Sequence, residues 1–307
     1  MRFSNRFIRN TSLFVLIASV LLVAACEKDI TVSLPRPDNM IVVEGVIEPG
    51  EAPWVILTRN AAYFDKVDIT TLGKLIVQDA IVTISDGTTT DTLKFRIDPN
   101  IFPYVRYTGN KIKGVEGKEY TLNIQVDGKK ISSKTTIPKS IPIDSLVFKL
   151  EKQYEVDSLG YVWLNFKDPQ DANNYYRFFT KKLGVDSVFV HPFASTLSDE
   201  LVNGQVIQYP LYHGRNFNIL PDDTSQTEQE GPASFMYKAG EKVVIKLSTM
   251  NAEHFRFWSS FENQLSSGGN PFAAPASVLS NIEGALGIWG GYGARYDTIS
   301  VEMPATK

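Results

Sequence analysis

Three histidines, a single cysteine and a scatter of carboxylates are the side chains of this 307-residue sequence that could do chemistry. His191, His213 and His254 are widely separated, and none stands at the short spacing of paired metal ligands. No Gly-x-Ser-x-Gly elbow, His-Glu-x-x-His helix or Walker loop occurs. Asp222-Asp223 and Glu228 to Glu230 lack the alternating acids and glycine of a calcium loop and read as a solvated segment. The expectation is therefore no catalytic residue, no metal and no cofactor. A hydrolase working through dispersed acids such as Asp168, Asp171 or Glu283 is a minor alternative, because such acids need one cleft and a defined separation.

Cys26 has a context of its own. Arg2, Arg6 and Arg9 open the chain without an acidic residue, and an apolar run follows from about Leu13 to Ala25. That run is long enough for a signal-peptide core and short for a membrane span. Leu22-Val23-Ala24-Ala25-Cys26 resembles the lipobox of bacterial lipoproteins. The resemblance implies that residues 1–25 are removed, that the Cys26 thiol takes a diacylglyceryl group and that its amine is acylated. Each buried CH₂ contributes about 0.8 kcal/mol, so two chains already anchor stably. Glu27-Lys28-Asp29 is similar to the charged signals that send lipoproteins of Bacteroidetes to the outer face of the outer membrane. The proline-containing stretch to residue 39 reads as an extended tether.

Composition narrows the classes further. With 43% hydrophobic and 21% charged residues the chain belongs among globular proteins. The net charge of −3 becomes about −6 once the three leader arginines are removed, so there is no basic field for nucleic acid. A lone cysteine leaves no internal disulfide.

The elements that must carry any site are strands. Ile41 to Ile47, Trp54 to Thr58, Ala80 to Ser85, Thr88 to Phe95, Tyr120 to Val126 and Lys130 to Ile137 are rich in β-branched residues or alternate in polarity. Asp86-Gly87 and Asp127-Gly128 are hairpin dipeptides. Residues 40–138 thus read as an immunoglobulin-like β-sandwich, with a long loop from Ala61 to Gly73. Pro138 and Pro142 mark a boundary, and 139–307 reads as a larger β-rich domain with one amphipathic helix. Its strands are Leu146 to Leu150, Tyr161 to Phe166, Tyr175 to Thr180, Val185 to Val190, Val243 to Leu247 and Tyr296 to Met303. Pro192 to Pro232 reads as irregular. The helix runs from about Asn251 to Leu265, with Trp258, Phe261 and Leu265 on its apolar face and Gly268-Gly269 ending it.

Several stretches together resemble a family of Bacteroidetes lipoproteins known only as a domain of unknown function. They are Val42-Val43-Glu44-Gly45, Ala80 to Gly87, Gly117 to Leu122, Ile137-Pro138 with Pro142 to Ser145, Asn270-Pro271-Phe272, and Ser280 to Gly284 with Leu286 to Tyr292. The resemblance implies an outer-membrane lipoprotein, often encoded beside a TonB-dependent transporter, with no established activity.

The glycine-rich end can be read in two ways. Gly284, Gly287, Gly290, Gly291 and Gly293 could let Trp289, Tyr292 and Tyr296 present a flat surface to a partner or ligand. Alternatively the glycines make tight turns and a bulge while the aromatics fill the core, and this is the favoured reading. The sequence as a whole predicts a surface-facing lipoprotein, membrane-bound through Cys26. It would act as a non-enzymatic accessory or ligand-binding partner of a TonB-dependent barrel. The alternative is a structural or adhesive envelope protein without a dedicated transporter.

Overall fold

Strict alternation of buried and outward residues organises the chain. In β1 (Ile41–Ile47) Ile41, Val43 and Ile47 point to one core, and β6 (Glu119–Val126) buries Tyr120, Leu122, Ile124 and Val126 in the same way. The computed structural model describes residues 40–60, 73–154, 158–170, 173–192, 194–214, 232–267 and 277–303. Cys26, the tether, the loop from Ala61 as far as residue 72, the acidic loop around Asp222 and Glu228, Asp171, Gly268-Gly269 and Asn270-Pro271-Phe272 lie outside these residues. The protein is mainly β, with one long helix among the described residues.

Among the described residues seven strands precede Pro138: β1, β2 (Trp54–Arg59), β3 (Ile81–Ser85), β4 (Thr90–Ile97), β5 (Val105–Thr108), β6 and β7 (Lys129–Thr136). β5 was not evident from the sequence. Its four residues Val105–Thr108 are too few to show a period, and it is held by pairing with β2 and β4. β4 is the corner of the structure: Thr90 to Leu93 pair with β3, whereas Lys94 to Ile97 pair with β5. β6 returns into β7 through Asp127 and Gly128, both at positive φ (51° and 71°), as a two-residue hairpin loop of the primed type requires.

The eighth strand of this sheet comes from the other end of the chain. β15 (Leu286–Gly291) runs parallel to β1, giving the order β15-β1-β2-β5-β4-β3-β6-β7. The glycine-rich segment is therefore a strand, where turns and a bulge were expected. At its start the backbones are so close that a Cβ on Gly287 would lie 1.8 Å from the Val43 carbonyl oxygen, and Gly287 has a φ of 114°. Trp289 projects into the first core and is fully buried, its indole N–H donating to the Tyr120 carbonyl (3.1 Å). The space for the ring is left by its register partner Gly45, where an added Cβ would stand 2.7 Å from Trp289 Cε3.

Beyond Pro138 lie β8 (Ser145–Leu150), β9 (Leu159–Lys167), β10 (Tyr175–Lys182), β11 (Thr196–Ser198), β12 (Val206–Leu211), β13 (Tyr237–Lys238), β14 (Lys242–Met250) and β16 (Gly293–Ser300). One sheet has the order β11-β10-β14-β16. In the other, β9 pairs with β8 and also with β12 and β13. A second core with Phe166, Tyr176, Phe178, Ile245 and Leu247 fills the space between them. β11 and β12 fall where an irregular segment was expected. Pro210 disguises β12, and an edge strand beside β9 tolerates a proline. Val185 to Val190 form no strand and contribute a single bridge, Thr180 to Val190. The last strand begins at Gly293, earlier than its polarity suggested, because Gly293 and Ala294 already pair with Thr249 and Ser248.

α1 (Ala252–Ser267) buries His254, Phe257 and Trp258 and half-buries Phe255 and Phe261, whereas Leu265 is exposed. The buried face is thus centred one turn earlier than the sequence suggested. It packs on Ile288 of β15, Met250 of β14 and Tyr175 of β10, so one helix covers both halves. Thr135 of β7 joins the elements: its hydroxyl accepts the Gly291 N–H (2.8 Å) and shares a hydrogen bond with His254 Nε2 (3.1 Å). Among the described residues no helix is long and apolar enough to cross a membrane.

Two outcomes are expected. Gly45→Ala forces a methyl into the Trp289 ring and lowers stability by about 1–3 kcal/mol, seen as a lower urea midpoint at unchanged slope. An unchanged midpoint would contradict the packing. Burial pulls His254 down from 6.5 to about 4, so the unfolded chain binds a proton that the folded chain refuses between those values. Stability is complete above pH 6.5 and declines as pH falls towards 4. His254→Gln should lose less midpoint between pH 7 and pH 5 than the unaltered chain does.

Candidate functional site

β10 alternates sharply in its middle. Tyr176, Phe178 and Thr180 face the second core, which sends Arg177, Phe179 and Lys181 to the opposite side of the sheet. On the neighbouring β14, Lys246 pairs in register with Phe179, and Ser248 with Arg177. The outward face of β1 presents Glu44 and Val46, with Glu48 just beyond its end. These two outer faces meet across a cleft of about 600 Å³, within the roughly 300–1,000 Å³ range of small-molecule sites. Trp54, Phe102, Phe179 and Phe189 supply apolar wall, and Tyr292 and Trp258 also line it.

One end is braced across the gap. Lys246 Nζ pairs with Glu48 Oε1, and the Tyr296 hydroxyl donates to Glu48 Oε2 (2.8 Å). Deeper in, the Trp258 indole N–H donates to the Tyr292 hydroxyl (2.7 Å), whose pKa burial pushes up to about 12.

Arg177 is the unusual group. It is 4% exposed, and its guanidinium carbon sits 3.4 Å from the centre of the Trp258 ring and 4.8 Å from that of Phe179. Its Nε donates to Ser195 Oγ (3.2 Å). Ser195 in turn donates through its hydroxyl and its N–H to Glu262 Oε1, and the Thr196 hydroxyl donates to Glu262 Oε2 (3.1 Å). The carboxylate therefore orients Arg177 through a serine, without a direct ion pair. Among the described residues neither terminal nitrogen of Arg177 has a hydrogen-bond or ion-pair partner. Burial lowers its pKa to about 10, against the opposing pull of Tyr292, Glu262 and Glu44. Glu44 lines the same cleft. Its side chain is solvent-exposed, and partial desolvation by the neighbouring protein raises its pKa while Arg177 opposes the rise.

The residues singled out in the sequence are distributed unevenly. Trp289 is core and reaches no surface. Tyr292 lines the cleft, and half-exposed Tyr296 braces Glu48 beside it. Asp168 is buried and accepts from the Tyr176 hydroxyl and the Gly204 N–H (2.7 Å), while Glu283 accepts from the Ser132 hydroxyl (3.1 Å) on β7. These two acids share no cleft. His213 pairs with Asp186 (2.9 Å), His191 contacts the Pro192 carbonyl (3.2 Å), and His254 belongs to the helix seam. Among the described residues no three His, Cys, Asp or Glu side chains gather to hold a metal ion. Glu44, Arg177, Phe179 and Lys246 were not anticipated. The available signal was Arg177 itself, a lone charge inside Tyr175-Tyr176-Arg177-Phe178-Phe179.

An unpaired buried cation works against stability, because desolvation is not repaid. Arg177→Met should therefore raise stability at pH 7 by about 1–4 kcal/mol, read as a higher urea midpoint at unchanged slope. A lower midpoint would show that the charge serves the fold.

No curated protein sequence matches this chain. A family model does, over residues 27–296, and on that match the chain belongs to the family described as Domain of unknown function (DUF4249).

Proposed function

We propose that this protein is a non-enzymatic, ligand-binding accessory held to the outer membrane by lipid on Cys26. It faces the cell surface and works beside a TonB-dependent transporter barrel. The observation that carries the binding role is Arg177, a buried guanidinium held by Ser195 and Trp258 that lines an open cleft. A charge kept out of water at a cost to stability is the mark of a site that serves a ligand. The anchor and the address rest on the leader, the lipobox-like Leu22 to Cys26 and the Glu27-Lys28-Asp29 that follows. The transporter partner rests on the family resemblance and is analogy.

The test is recovery of tagged native protein in mild detergent, with protease added to intact cells in parallel. Near-stoichiometric recovery of a TonB-dependent barrel, together with cleavage of the chain from outside, is the expected result. Protection in intact cells with no barrel recovered would overturn both the surface address and the partner. Cys26→Ala should release the protein from the membrane fraction, and retention would overturn the anchor.

A further inference from the structure

The charges lining the cleft can be sorted by what already satisfies them. Lys246 is paired with Glu48. Lys181 donates to the Ser187 carbonyl (3.0 Å), and Arg106 donates to the carbonyls of Ile101 (2.7 Å) and Pro103 (2.6 Å). Glu51 stands exposed at the rim. Among the described residues two lining groups of opposite sign are left without an ion-pair partner, buried Arg177 and exposed Glu44. They feel one another electrostatically, yet no ion pair within 4 Å joins them.

Each sets a requirement on whatever fills the cleft. The Arg177 guanidinium is planar, fixed at Nε and stacked on Trp258, so its free edge is ready for two parallel N–H···O bonds to a carboxylate. Glu44 is solvent-exposed and lines the cleft, so an occupant displaces part of its water. A purely anionic ligand would then set a second negative charge beside a carboxylate that is losing water, which is costly. A ligand that also carries an ammonium satisfies both. Trp54 and Phe179 add flat apolar surface for a side chain.

We infer that the cleft binds a small zwitterion of the amino-acid or short-peptide class, its carboxylate on Arg177, its ammonium on Glu44 and its apolar side chain against Trp54 and Phe179. This rests on the reading of the cleft as a ligand site and names what it takes.

The test is calorimetric titration of the detergent-solubilised full chain with the dipeptide Ala-Phe, its N-acetyl form, its C-terminal amide and the doubly blocked form. The free dipeptide should bind, and each single block should weaken it at least about tenfold. Arg177→Met should abolish the difference between acid and amide. Glu44→Gln should abolish the difference between free and acetylated amine, and each variant should leave the other discrimination in place. Arg177→Lys keeps the charge without the fork and should also lose affinity; far-ultraviolet circular dichroism verifies that every variant is folded. If the acetylated dipeptide binds as well as the free one and Arg177→Met weakens both, the cleft is an anion site. The zwitterion inference then falls while the binding role stands. If none of the four peptides binds, the inference falls as well, and barrel recovery in the pull-down still decides the accessory role separately.

Discussion

The parallel ladder between β15 and β1 is the contact on which the rest of the molecule depends. Through it the end of the chain enters the sheet built by the beginning, and successive residues of β15 serve different cores. Trp289 fills the first, while Ile288 and then Tyr292 turn to α1. α1 in turn rests on β10 and β14 through Tyr175 and Met250. Removing the ladder would take Trp289 out of the first core and Ile288 from beneath the helix that spans both halves. Thr135 secures the same seam from β7, with one hydroxyl serving both the Gly291 N–H and His254.

The cleft follows from that arrangement. Two β faces that would each be solvated are brought opposite one another, and Lys246, Glu48 and Tyr296 tie them at one end. Within the gap, hydrogen bonds from Glu262 through Ser195 already hold Arg177, which would lower the ordering cost that a ligand meets. Placing the counter-carboxylate one residue removed from the guanidinium avoids a closed ion pair that a ligand would have to break.

Much of the fold was legible from residues alone, because hairpins are local. Asp127-Gly128 between alternating runs dictates β6 and β7, and α1 follows from its aromatic spacing. What escaped was set by distant partners. β5 and β12 are strands because β4 and β9 offer them edges, and the glycines of β15 report close neighbours, the β1 backbone at Gly287, the Tyr292 ring at Gly290 and the Thr136 backbone at Gly291. The site escaped for the same reason. Glu44 and Arg177 sit in different sheets, and neither carries a local pattern that announces the other. Tyr292 was singled out because it lies near glycines, and it does line the cleft; Trp289 was singled out on the same grounds and is structural.

The position of β15 also has a consequence for the order of events in folding. A ribosome delivers β1 at the start and its parallel neighbour almost at the end, so the closing contact is among the most non-local in the chain, a topology that folds slowly. Until then β1 offers a bare row of N–H and C=O groups and a hollow beside Gly45 where the indole belongs. A product ending before Leu286 would therefore be left with a sticky open edge as well as a missing terminus. Pairing with β15 covers that edge, so the row is closed only once residues 286–291 are in place.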